Sequence, residues 1–109
     1  MHTNYFKVVL PKKNMLRVHR EILNEFKKLK GKASVIAYGS VVKGSYRLDS
    51  DIDIAVITKS NQARKLAEKI ADKILLKYGK VVSLKFLTKE DLKKQSTFVK
   101  EVLSGRRIV

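Results

Sequence analysis

Three compact apolar runs, residues 33–38, 51–57 and 81–87, constrain this chain most. Each has strand length, is rich in β-branched residues, and is set off by glycine or polar residues. Between the second and third lies an amphipathic stretch in which Ala63, Leu66, Ala67, Ile70, Ala71, Ile74, Leu75 and Tyr78 recur at helical spacing, with Ser60 as cap and Gly79 as stop. Strands and one-sided helices hide their apolar surfaces only by stacking as layers. The expected fold class is therefore α/β or α+β, a small mixed sheet flanked by helices.

The remaining elements follow from the same periodicities. Asn14 caps an expected helix whose Met15, Val18, Ile22, Phe26 and Leu29 share a face, ending near Gly31. Residues 39–50 hold two glycines and four Ser or Asp, so they read as a loop with one short helical turn over 40–43. After the third strand come a helical turn over 89–94 and a helix over 97–103, in which Phe98, Val99, Val102 and Leu103 read as core. Gly105 closes it, and Ile108-Val109 reads as a last strand. Residues 4–10 form an apolar run stopped by Pro11, an N-terminal arm or edge strand within 1–12. With no repeat and no linker, residues 1–109 read as one domain of a size that can bury a modest core.

Composition excludes several chemistries. Without cysteine there is no disulfide, thiolate metal site or Cys nucleophile, and His2 and His19 are too far apart in the chain to suggest a metal pair or a Ser-His arrangement. No stretch is long and apolar enough for a signal peptide or membrane span, so a cytoplasmic protein is expected. The 25 Lys and Arg against 10 Asp and Glu give +15, a field that favours polyanions. Lys65, Lys69, Lys73 and Lys77 form a basic stripe that reads first as a solvated helix face, with Glu68 and Asp72 near it, and second as a nucleic-acid or acidic-partner surface.

Two features carry chemistry. Residues two apart on a strand share a face, so Asp51 and Asp53 present paired carboxylates on one side while Ile52, Ile54 and Val56 take the other. Such a pair repels itself unless a cation neutralises it, and hard oxygen ligands suit Mg²⁺ or Mn²⁺, which also bridge to phosphates. Upstream, Gly39-Ser40 ends an apolar strand, where glycine permits close backbone approach and serine offers a hydroxyl to phosphate. A phosphate cradle beside a metal site makes up the two halves of a phosphoryl-transfer centre.

Gly39-Ser40, Gly44 and Ser50-Asp51-Ile52-Asp53 together resemble the signature of the DNA polymerase β-like nucleotidyltransferase superfamily, and the short chain resembles its minimal members. The resemblance implies the superfamily's fold, a nucleoside triphosphate such as ATP bound through Gly39 and Ser40, and divalent metal on the catalytic Asp51 and Asp53. It also implies transfer of a nucleoside monophosphate, AMP first among them, to an acceptor. Lys43 and Arg47 lie in the same loop and are candidates to pair with the triphosphate. Minimal members resemble antitoxins that act on a helical HEPN toxin, so a protein hydroxyl is the leading acceptor and such a toxin the leading partner. A homo-oligomer stays open. The family's usual third carboxylate is missing from the strand Val81-Val82-Ser83-Leu84-Lys85-Phe86-Leu87, where Ser83 or Lys85 would take its place, and Glu90 and Asp91 follow just beyond. Two alternatives follow: a weak or inactive nucleotide-binding module that regulates a partner by contact, and a basic nucleic-acid-binding subunit.

Overall fold

The computed structural model describes residues 17–43 and 51–109, apart from the side chains of Val41 and Lys43. The expected N-terminal arm, the Asn14 cap and the segment around Gly44, Arg47 and Asp49 lie outside the described residues. Helix α1 covers 17–25 and tightens into a 3₁₀ turn over Phe26–Leu29. There follow β1 (Ser34–Tyr38), α2 (Ser40–Lys43), β2 (Ile52–Ile57), α3 (Asn61–Tyr78), β3 (Val82–Leu87), α4 (Lys89–Leu92), α5 (Thr97–Leu103) and β4 (Arg106–Arg107).

The four described strands form one mixed sheet in the order β3-β2-β1-β4. β1 pairs antiparallel with β2 and with β4, while β2 and β3 run parallel. A parallel pair needs a crossover, and α3 supplies it. The Ser60 side chain accepts from the Ala63 amide at its start, and Gly79 closes its end with a bond to the Leu75 carbonyl.

Strand alternation divides the sheet into two unlike faces. On one, Val35, Ala37, Ile52, Ile54 and Val56 are fully buried against Ile22, Phe26 and Leu29 of the α1 segment and Ala67, Ile70 and Ile74 of α3. Each large side chain buried this way contributes roughly 1.5–3 kcal/mol. Arg64 of α3 lies over the Phe86 ring at 5.5 Å, and Lys73 of α3 reaches Glu25 of α1 at 3.2 Å. The other face carries a smaller cluster in which Val102 of α5 covers Tyr38 and Ala55, with Ile36 and Leu87 beside them.

Several expectations need adjustment. The last strand starts at Arg106 rather than Ile108, although the hydrogen bonding continues: the Ile108 amide donates to the Val35 carbonyl at 2.8 Å and the Val35 amide to the Val109 carbonyl at 3.0 Å. Gly105 permits this early start, since a Cβ there would strike the Ala37 carbonyl oxygen and lie 2.9 Å from the Tyr38 Cβ. Leu75, Phe98 and Leu103 are 47%, 37% and 56% exposed, so they flank the core instead of filling it. In α5 only Val99 and Val102 are buried, because a helix of two turns shows the sheet one side. His19 is buried. Among the described residues no helix is long and apolar enough to cross a membrane.

Candidate active site

Register builds the site. Tyr38, the last residue of β1, pairs with Asp53 near the start of β2, so the turn leaving β1 arrives beside the carboxylates. Gly39 is buried and adopts φ 76°, a left-handed conformation that disfavours side chains. A Cβ at this position would lie 2.6 Å from Asp53 Oδ2. The glycine therefore serves the close approach of backbone to carboxylate. Ser40 follows as the first residue of α2 and is half-buried, and the Val42 amide closes the turn onto the Gly39 carbonyl at 3.2 Å.

Asp51 precedes β2 and is exposed, whereas Asp53 is half-buried in the strand. Burial pushes the Asp53 carboxyl above the usual carboxylate range, and the charges of Asp51 and Glu101 push it the same way against the opposing pull of Lys85. Gly39, Ser40, Asp51 and Asp53 thus occupy one end of the sheet. Lys43 ends α2 with its side chain outside the described residues, and Arg47 lies outside them altogether.

The parallel ladder sets Ser83 directly beside Asp53 and Lys85 beside Ala55, so of the two residues weighed for the missing carboxylate it is Ser83 that faces Asp53. Glu90 and Asp91 sit beyond the far end of β3, roughly 13 Å along the strand from Ser83. There Glu90 accepts from Lys59 Nζ at 3.2 Å, and Asp91 forms a capping box with Thr88 and pairs with Lys94 at 3.5 Å. Neither reaches the Asp51/Asp53 end.

Glu101 of α5 was not singled out from the sequence, yet its charge acts on both Asp53 and Tyr38. Phe98, Glu101 and Val102 fall three and four residues apart and share a helix side. Phe98 meets Tyr38 edge-on at 5.7 Å between ring centroids, and Val102 packs against the same tyrosine. That docking carries Glu101 to the face that bears Asp53. The Tyr38 hydroxyl is pushed up to about 12 by burial first and by Asp53 and Glu101 second, so it stays protonated at neutral pH. The sequence signal for Glu101 was an acid on the apolar side of a short helix. Among the described residues, no three Asp, Glu, His or Cys side chains gather closely enough to hold a metal by themselves.

The model of the nucleotidyltransferase domain family matches residues 19–109. A crystal structure of a toxin-antitoxin with AMP-PNP is similar at 25% identity and a TM-score of 0.51, covering 80% of this chain and 72% of that one. A crystal structure of a presumed nucleotidyltransferase is 30% identical over 82% of this chain and 95% of the other, with a TM-score of 0.46. No curated protein shows significant similarity to the chain. With the family's Gly-Ser turn brought against its paired aspartates on a mixed sheet, the chain belongs to the nucleotidyltransferase domain family.

Proposed function

We propose that this chain binds a nucleoside triphosphate at the Gly39-Ser40 turn and transfers its nucleoside monophosphate to an acceptor hydroxyl at Asp51 and Asp53. The observation that supports it best is the close approach of Gly39 to Asp53, which sets the turn beside a carboxylate whose pKa is raised by burial first and by the charges of Asp51 and Glu101 second. Paired carboxylates on one strand face would hold a divalent cation, with Asp51 and Asp53 as its protein ligands. When bound, Mg²⁺ or Mn²⁺ would offset charge on the phosphates and on both aspartates. The Ser40 hydroxyl and turn amides orient the phosphates, and Lys43 and Arg47 are the nearest cations in sequence to pair with them. The acceptor oxygen forms a bond to the α-phosphorus, the bond to pyrophosphate breaks, and the hydroxyl proton leaves to solvent or to pyrophosphate.

ATP is the proposed donor and a protein hydroxyl the proposed acceptor. The similar toxin-antitoxin structure with AMP-PNP supports both a nucleotide of this kind and a protein partner, for which a helical HEPN-type toxin is the proposed candidate. The reading places the chain in the cytoplasm, where Mg²⁺ and ATP are plentiful. One observation favours a second reading: Ser83, not an acid, stands beside Asp53, as in a module that holds nucleotide and regulates its partner by contact.

Pyrophosphate release separates the two. Each of the four nucleoside triphosphates is incubated with Mg²⁺ and the protein, with and without a helical HEPN-type protein as candidate acceptor. Release with ATP that depends on the acceptor supports transfer. Saturable nucleotide binding without release under any condition supports the contact module.

A further inference from the structure

At the end of the sheet away from Asp53, a cavity of about 770 Å³ opens between the turn entering β1, the end of β2 and the C-terminal strand. Lys27, Lys30, Lys32, Lys59, Lys89 and Arg107 line it. A second cavity of about 310 Å³ shares Lys27, Arg107 and Ile108 with the first and adds Arg20 and Arg106, so the two form one continuous basic groove. Among the described residues, no acidic side chain lines either lobe. Among the described residues, Lys59 alone of these cations has an acidic partner, Glu90 at 3.2 Å. Residues 1–16 contain no Asp or Glu, so that segment brings no neutralising charge.

The walls are fixed. Thr58, itself nearly buried, donates its hydroxyl to the Lys32 carbonyl at 3.3 Å and ties the turn bearing Lys30 and Lys32 to the end of β2. The ladder between Val35 and Ile108–Val109 holds the opposite wall. Cations on anchored backbone lose less freedom on binding a polyanion than cations on a mobile tail.

We propose that this groove binds the phosphate backbone of single-stranded nucleic acid. A few nucleotides of a single strand would fill its lobes. An acidic protein is the poorer match, because protein interfaces rely on aromatic and large apolar anchors. Among the described residues, the large exposed apolar side chains, Leu75, Leu76, Val81, Phe98 and Leu103, all lie outside the groove. With no aromatic among the described residues lining either lobe, the contacts are electrostatic, so binding is indifferent to sequence and steeply salt-dependent. This places the polyanion site in the groove and not on the α3 stripe, where Lys73 is already paired with Glu25.

Fluorescence polarisation of a labelled, mixed-sequence RNA of about 20 nucleotides, longer than the footprint of one small domain, tests this across a salt series. Lys30→Ala/Lys32→Ala/Arg107→Ala is compared with the charge-matched Lys65→Ala/Lys69→Ala/Lys77→Ala, with melting curves confirming that both fold. The groove variant is expected to bind at least about tenfold more weakly, with a log–log salt slope shallower by about 2. The α3 variant should stay within about twofold of wild type, and Asp53→Asn should bind as wild type does, which separates this proposal from the nucleotidyl-transfer reading. Equal losses in both lysine variants, no binding by the wild type, or equal competition by an oligoglutamate peptide would each overturn it.

Discussion

Gly39 is the residue on which the site turns, since it combines a φ of 76° with a position where a Cβ would crowd the Asp53 carboxylate. Gly39→Ala would add a Cβ 2.6 Å from Asp53 Oδ2 and put a side chain where the left-handed conformation costs about 1–2 kcal/mol. The expected outcome is a melting temperature lower by several degrees and nucleotide affinity at least about tenfold weaker, checked by calorimetry on one preparation. His19 provides a separate prediction at this scale. Burial, and then the charge of Lys80, hold its imidazole below the ordinary value of 6.5. A base with a lowered folded pKa costs nothing above pH 6.5. As pH falls below 6.5 the unfolded chain takes up the proton first and stability declines until the folded pKa is passed. Melting curves between pH 7.5 and 5 should show this decline, and His19→Leu should make it shallower; an unchanged slope in the variant would assign the decline to other groups.

Among the elements, α3 does the most structural work, closing the parallel β2–β3 crossover and filling one face of the core. Its start depends on the Ser60 cap, so Ser60→Ala should cost about 1 kcal/mol and lower the melting temperature by roughly 4–8 °C without changing nucleotide affinity. The strands and helices were legible because their apolar spacing is regular: Ile52, Ile54 and Val56 alternate inward, and Ala63, Ala67, Ile70 and Ile74 recur as one buried stripe. The Gly-Ser turn and paired aspartates were legible from residue type and spacing. Strand order was not, since periodicity says which face a residue takes but not which neighbour it pairs with. That order is what sets Ser83 beside Asp53 and sends Glu90 and Asp91 to the other end. Glu101 escaped notice because it reaches the site through the docking of Phe98 and Val102 on Tyr38, a contact between distant parts of the chain.

Across the described residues, charge is unevenly placed. Asp51, Asp53 and Glu101 concentrate negative potential at one end of β1 and β2, while the basic groove occupies the other, in a chain of net charge +15. A triphosphate with its cation suits the first end and a bare phosphate backbone the second. The central claim is that Asp51 and Asp53 hold nucleotide through a divalent metal. The most direct test is calorimetric titration of ATP into wild type and Asp51→Asn/Asp53→Asn, each with and without Mg²⁺. Wild type should bind ATP with Mg²⁺ and lose at least about tenfold in affinity without it, while the double variant binds weakly and equally in both conditions. Wild-type binding that ignores Mg²⁺, or a double variant that keeps its metal dependence, would contradict the assignment of these two aspartates.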